Sequence, residues 1–490
     1  MANGVTKVFT GLAFYAYAFF NLFSFIFVLM INGVWFRKDT EQDKLQYAIA
    51  KDQFWNLAKS PIPNFCHNFY TLRNNLKLHY ISNREGPFNG NLVIFFHGFP
   101  DSCVMWRHLL QEKSIPLQDA TLVAVDLPGF GGSDSFPKYD TQILDALSEF
   151  VVAMRDTYIP VEQADSIDTL IVGHDWGCIL GFRLAAEAPA LADRFILTNA
   201  PHTQLALANV KGIVQSSSMI FKQFRRSPWK QWSCLSKAYN TIKPLLVQVY
   251  MMGYIFIFNL STLYVNFLGI GGNYAFMRSV TMSAYDLKSP EWSFPECLAT
   301  SFGPGKEELD TAIPSTSSTS PGETYGASVI ARAKSHGQAF WNMTGYYRHG
   351  VSSRPWTKSL ETIADLYALE SSASESSSPG SRRRASISNG ALFAVPHKGA
   401  LKAPTYVLWG EKDQACSREI CLNGLGDYLA KDSEVTILPR TSHWTPIQKE
   451  SRAVLARVIG LFARSNSTPL PNMTAEVHKI YPDATLYVKK

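Results

Sequence analysis

Short apolar runs of β-forming residues recur along the chain, and each ends in a cluster of Gly, Pro and polar residues. Leu92-Val93-Ile94-Phe95-Phe96 runs into His97-Gly98-Phe99-Pro100, and residues 121–125 run into Asp126-Leu127-Pro128-Gly129. Thr169-Leu170-Ile171-Val172 runs into Gly173-His174-Asp175-Trp176-Gly177. Near the C-terminus, Thr405-Tyr406-Val407-Leu408-Trp409 ends in Gly410-Glu411-Lys412-Asp413, and Val435-Thr436-Ile437-Leu438 precedes Ser442-His443-Trp444. Residues 179–186 read as a helix, and 448–464 as the last core helix, with apolar positions from Ala453 to Phe462. Strands alternating with helices predict a mostly parallel, doubly wound α/β sheet with helices on both faces.

The pentapeptide Gly173–Gly177 stands between a strand and a helix. That is the layout of a nucleophile elbow, G-x-S-x-G, with Asp175 in place of serine. Its glycines leave room where a sharp turn has no space for Cβ atoms, and the turn presents a carboxylate at the positive end of a helix. A carboxylate nucleophile attacks saturated carbon and forms an ester. His97-Gly98-Phe99-Pro100 matches the motif that supplies one oxyanion-hole N–H, here that of Phe99, and its partner is the N–H of Trp176. Asp175, Asp413 and His443 follow the nucleophile–acid–histidine order of α/β-hydrolases.

These motifs together, with Trp106, GHDWG, WGEKD and SHW, resemble the epoxide hydrolases of the α/β-hydrolase superfamily, most closely their membrane-anchored group. The resemblance runs over roughly 64–464 and implies an α/β-hydrolase fold with an inserted helical lid. It departs at Cys178, where Gly or Ala is usual, and at DLPGFGGSD, where DLRGYGxS is usual. It implies a phenolic proton donor for the leaving alkoxide. Tyr347 of Gly345-Tyr346-Tyr347-Arg348 matches the family's Tyr-Arg donor. Tyr346 and Trp106 are then substrate neighbours, and Tyr254 of 253–259 is the second donor, with Asn259 where the family has Gln. The expected product is a vicinal diol made through an Asp175 alkyl ester that His443-activated water hydrolyses, with no metal or organic cofactor. Two alternatives share the motifs: a haloalkane dehalogenase, which usually has Asn after His-Gly where this chain has Phe99, and a silent membrane-tethered binding protein on the same scaffold.

Two long stretches carry no charge. Residues 8–36 are 29 positions rich in Phe, Leu, Ala and Ile, and about 20 apolar residues cross a bilayer. This reads as a membrane anchor. Residues 244–277 contain Gln248, Asn259, Asn266 and several glycines, and read as lid with a membrane- or substrate-facing surface that admits a lipophilic epoxide. Two polar stretches, 303–326 and a Ser-rich run around Arg382-Arg383-Arg384-Ala385-Ser386, bury too little to order and read as disordered; Ser386 fits a basophilic kinase. The resulting plan is an anchor (1–36), a linker (37–63), a first core half (64–200), a lid (201–356), a disordered return (357–400), a second core half (401–465) and an exposed tail (466–490).

Length and charge exclude little else. A net charge of +6 over 490 residues leaves no nucleic-acid footprint. Seven scattered cysteines point to free thiols in a reducing compartment. Arg37, Lys38 and Lys44 follow the apolar stretch, which favours a cytosolic catalytic domain. The sequon Asn342-Met343-Thr344 beside Tyr347 leans the same way. The family resemblance implies an endoplasmic reticulum membrane.

Overall fold

The apolar runs form the centre of one nine-stranded sheet in a computed structural model, which describes residues 2–164, 166–314, 322–375, 397–464 and 471–490. In chain order the strands are β1 (Cys66–Thr71), β2 (Lys77–Ser82), β3 (Leu92–Phe96), β4 (Thr121–Val125), β5 (Thr169–His174), β6 (Arg194–Thr198), β7 (Thr405–Lys412), β8 (Glu434–Ser442) and β9 (Thr485–Lys489). Across the sheet they lie in the order β1-β2-β4-β3-β5-β6-β7-β8-β9. The pairs from β4–β3 to β7–β8 are parallel. The outer pairs β1–β2, β2–β4 and β8–β9 are antiparallel.

The first four helices are α1 (Ala2–Ile31), α2 (Glu41–Trp55), α3 (Gln142–Tyr158) and α4 (Trp176–Glu187). Nine helices lie between β6 and β7 among the described residues: α5 (Thr203–Arg226), α6 (Trp232–Met251), α7 (Gly253–Phe258), α8 (Thr262–Ala284), α9 (Phe294–Phe302), α10 (Ala327–Ala333), α11 (His336–Met343), α12 (Tyr346–His349) and α13 (Leu360–Glu375). The chain closes with α14 (Arg418–Cys421), α15 (Lys449–Ala463) and α16 (Met473–His478). Successive strand side chains point to opposite faces. Ile94, Phe96, Val123 and Val125 therefore pack in one cluster with Phe150 of α3 and Leu180 of α4. Val93, Phe95, Leu122 and Ala124 pack in another with Trp55 of α2 and Ile459 of α15. Both faces of the central strands are covered, which explains why β3 and β4 are apolar at every position or nearly so.

Four segments differ from the sequence reading. The expected linker 37–63 contains α2, opened by a reciprocal cap in which Thr40 N–H donates to Asp43 (2.8 Å) and Asp43 N–H to Thr40 Oγ1 (3.1 Å). Its Trp55 is fully buried, donating its indole N–H to the Ala299 carbonyl of α9 at 2.9 Å. The expected disordered insertion 303–326 is ordered at both described ends. Lys51 Nζ donates to the Gly303 carbonyl at 2.6 Å, and the buried Tyr325 hydroxyl donates to the Trp55 carbonyl at 2.6 Å. The average Ser/Thr composition hides these few anchoring side chains.

In the return, 360–375 is α13, tied to the core where Arg73 donates twice to Asp365 at 2.8 and 3.0 Å. Arg382, Arg383, Arg384 and the kinase candidate Ser386 lie outside the described residues. The expected tail carries α16 and then β9, which adds a strand to β8. Each of these segments carries too little apolar pattern to announce itself. It takes its structure from the surface it meets.

The uncharged run 244–277 is divided among α6, α7 and α8, and α8 breaks at Gly271–Tyr274, where Gly272, Asn273 and Tyr274 have φ of 58°, 53° and 60°. Among the described residues one helical stretch, Thr10–Ile31, is long and apolar enough to cross a membrane, a property it shares with signal sequences. This helix also packs on the insertion. The Tyr17 hydroxyl donates to the Val249 carbonyl at 3.1 Å, and the Phe14 and Tyr17 rings meet Phe256 at 5.1 and 4.8 Å. Because Trp55 locks α2 onto α9, Trp55→Ala is expected to lower the unfolding free energy by about 3–5 kcal/mol, measured by urea denaturation. A loss below about 0.5 kcal/mol, the range of surface substitutions, contradicts the packing role of α2.

Candidate active site

Strand β5 ends at His174 and α4 starts at Trp176, so Asp175 alone makes the turn, with φ 50° and ψ −116°. A non-glycine residue held there stores roughly 1–3 kcal/mol of strain. The turn tolerates it because its flanks are bare. A Cβ on Gly173 would strike the Gly177 carbonyl, and one on Gly177 would strike that of Phe96, both of them backbone that cannot swing aside. From the loop after β3, the Phe99 N–H donates to Asp175 Oδ1 at 2.7 Å. Trp176 occupies the first position of α4, so its N–H is one of the unpaired donors of that helix end.

The other carboxylate oxygen of Asp175 faces His443 Nε2 at 3.5 Å. His443 Nδ1 is 3.0 Å from Asp413 Oδ2. Asp413 is anchored in turn, its Oδ1 accepting the N–H groups of Ala415 (2.7 Å) and Cys416 (2.9 Å). Burial would depress the His443 pKa, but the carboxylates of Asp413 and Asp175 outweigh it and raise the value from 6.5 to about 10. Asn199 was not singled out in the sequence. It follows β6 at φ 50°, and its Nδ2 donates to Asp413 Oδ2 at 2.8 Å. Only its place after a strand, beside the acid, marks it, and that place appears only when β6 and β7 pair.

Above the elbow, α7 brings Tyr254 and α12 brings Tyr347. Their rings lie 6.0 Å apart, and the Tyr347 ring stands 4.9 Å from Trp176 and 5.6 Å from Phe99. Desolvation, reinforced by the negative charge of Asp175, pushes both phenol pKa values well above 10. The two elements are tied to each other: Arg348 donates to the Phe258 carbonyl at 3.1 Å, and Asn259 Nδ2 to the Tyr347 carbonyl at 3.5 Å.

The two predicted substrate neighbours are both buried, Trp106 away from the elbow and Tyr346 against the Trp176 ring at 5.3 Å. Trp106 is buried against Phe95 at 5.3 Å, in the cluster on the opposite sheet face from Phe96 and the elbow. Tyr346 is buried, donates its hydroxyl to the Pro128 carbonyl at 3.1 Å, and packs on Tyr139. In a short helix, adjacent residues point about 100° apart, so Tyr347 facing the site sends Tyr346 into the core. A cavity of about 450 Å³ is lined by Val247, Met251, Asp413, Cys416 and Arg418, among others, but by neither Asp175 nor the two phenols. The one cluster with metal-ligand chemistry among the described residues is His79, Cys103 and Asp126. It is already internally bonded, since His79 Nδ1 meets Asp126 at 2.7 Å and Nε2 meets His67 at 2.8 Å. All seven cysteines are free.

The His443 shift has a sign that can be measured. A folded-state pKa raised above the unfolded value gives stability that is complete below about pH 6.5 and is lost as pH climbs towards about 10. The protein is therefore expected to lose stability across that window with a steeper slope than His443→Gln, measured as urea midpoints against pH. Parallel slopes contradict the charge pairing.

Residues 91–226 match the family model described as the α/β hydrolase fold. Epoxide hydrolase 3 of Mus musculus is 30% identical over 182 residues, covering 35% of this chain and 46% of that protein. A haloalkane dehalogenase of Mycolicibacterium paratuberculosis is 31% identical over 126 residues, covering 25% of this chain and 38% of that protein. The chain spans less than half the length of these two curated relatives. Among solved structures, the Cif epoxide hydrolase from Acinetobacter nosocomialis aligns with a TM-score of 0.45 at 14% identity, over 84% of this chain and 93% of that one. The family match lies on the segment that holds β3 to β6 and the elbow, and the sheet continues in the same plan through β7 and β8: the chain is an α/β-hydrolase-fold protein.

Proposed function

We propose that this protein is an epoxide hydrolase that opens a lipophilic epoxide to a vicinal diol. The observation that carries the reading is a carboxylate held at a strained elbow by one backbone N–H and a charged histidine, with two protonated phenols directly above it. Ionised Asp175 attacks a ring carbon, the C–O bond breaks, and Tyr347, assisted by Tyr254, protonates the departing alkoxide. The phenolate regains its proton from His443, which leaves that imidazole neutral. Esterification removes the Asp175 charge, one of the two that raise the His443 pKa, which favours the transfer. His443 then takes a proton from water, the hydroxide adds to the Asp175 ester carbonyl, and the N–H groups of Phe99 and Trp176 hold the oxyanion. Collapse releases the diol and restores ionised Asp175 and protonated His443. Each oxyanion donor typically contributes about 3 kcal/mol to such a step.

The epoxide hydrolase relatives support the reaction class, and the Thr10–Ile31 helix supports a membrane anchor. We place the catalytic domain on the cytosolic side, at the endoplasmic reticulum. The amide nitrogen of Asn342, which a glycan would occupy, donates to Ser135 Oγ at 2.8 Å. Such a part-buried bond favours the side of the membrane where glycosylation does not act. Kinase action at Ser386 remains part of the proposal, and its detection in cells would fix the same orientation.

A second reading, haloalkane dehalogenation, is favoured by one observation: the buried indole N–H of Trp176, beside the Tyr347 phenol, makes no hydrogen bond of good geometry among the described residues and is of the donor type a halide takes. Tyr347→Phe separates the two. An epoxide hydrolase is expected to lose about 100-fold or more in kcat/KM for an epoxidised fatty acid, whereas halide release from a haloalkane needs no phenol and survives the change. For the covalent step, His443→Gln incubated with the epoxide is expected to accumulate a peptide containing Asp175 that is heavier by the substrate mass. Turnover by Asp175→Asn at the native rate, with no such adduct in His443→Gln, removes the proposal.

A further inference from the structure

Helices α5 and α6 form a hairpin whose inner face is fixed and whose outer face has no partner among the described residues. Inside, Ser217 Oγ donates to the Ala238 carbonyl at 2.9 Å, and Cys234 and Ala238 are buried. At its base, Gln248 is pinned to the core, donating to the Ala415 carbonyl at 2.8 Å and accepting the Ser417 N–H at 2.7 Å. Outside, Trp232, Leu235, Tyr239, Lys243, Leu246 and Tyr250 follow one another at spacings of three or four residues, and every one is exposed. Such spacing makes a single stripe along the helix, about 27 Å long at 1.5 Å per residue. The tip between the helices adds Trp229, 88% exposed.

The charge on this hairpin has one sign. Residues 203–251 hold seven Lys and Arg and no Asp or Glu. Four of the seven, Lys222, Arg225, Arg226 and Lys230, surround the tip, and all four are exposed. None of the seven makes an ion pair among the described residues. An aromatic and aliphatic stripe edged by uncompensated cations is the chemistry of a helix lying in a lipid interface, where Trp and Tyr sit at headgroup depth and Lys and Arg meet anionic lipid. The stripe ends beside α1, whose Tyr17 hydroxyl bonds the Val249 carbonyl of α6, so it is continuous with the apolar N-terminal helix.

We propose that the α5–α6 hairpin is a second membrane contact, which docks its Trp229–Trp232 tip and the α6 stripe into the interface of an anionic leaflet. This contact is independent of the catalytic reading. It fixes the orientation of the insertion that carries Tyr254 relative to the bilayer, which a single tethering helix leaves free to rotate.

The test uses the full chain on vesicles of brominated phosphatidylcholine, with or without about one third phosphatidylserine, a content that gives the negative surface potential cationic segments read. Flotation reports attachment as a whole, and intrinsic fluorescence reports the tip. The tip signal is the difference between the unmodified protein and W229F/W232F, whose thermal unfolding is compared first to verify folding. Expected is quenching of that difference signal by about half or more on anionic vesicles, with little quenching on neutral ones, and its loss at high salt as charges are screened. K222E/R225E/R226E/K230E should abolish the tip quenching while flotation through α1 persists. Equal quenching on neutral and anionic vesicles, quenching retained after charge reversal, or a tip hidden instead in a concentration-dependent dimer each overturns the proposal. Unchanged diol formation in detergent accompanies either result, so failure here is distinguishable from failure of the epoxide hydrolase reading.

Discussion

A backbone turn that only one residue makes, between the end of β5 and the start of α4, governs the arrangement of everything else at the site. Asp175 sits at a positive φ that costs it roughly 1–3 kcal/mol, and the turn persists because two glycines let the β3 and α4 backbones approach closely on either side. The same close approach puts the Phe99 N–H within 2.7 Å of the carboxylate. Strain and donor contact are thus one geometry: relaxing the turn would move the carboxylate away from the Phe99 N–H.

Around that carboxylate the charges balance as a chain. Asp175 and Asp413 flank His443, and Asp413 is itself held by two backbone N–H groups and by Asn199. Removing an ionised group from water is costly unless it is paired, and here each charge is paired. Against the opposing effect of burial, both carboxylates raise the His443 pKa, Asp413 more than Asp175.

The two phenols depend on the insertion between β6 and β7. Arg348 and Asn259 tie the Tyr347 helix to the end of α7, and α1 packs on α7 from outside through Phe14 and Tyr17. The apolar N-terminal helix and the site thus share a wall, with Phe256 on one side of α7 and Tyr254 on the other.

The amino-acid sequence by itself determined the β-α alternation, the elbow, and the chain order Asp175, Asp413, His443, because these features depend on local period and on residues at strand ends. It also placed Tyr254 and Tyr347 on the insertion, through the family resemblance. Tertiary structure alone decided the rest. Helix α2, the ends of the 303–326 insertion, α13 and β9 have weak apolar patterns and exist because Trp55, Tyr325, Asp365 and the open edge of β8 meet partners far away in the chain. The burial of Trp106 and Tyr346 was decided there too: an aromatic residue beside a motif faces the site or the core according to one rotation of the backbone, and only the packed neighbours choose between them. Asn199 needed β6 and β7 side by side before its amide had a carboxylate to hold.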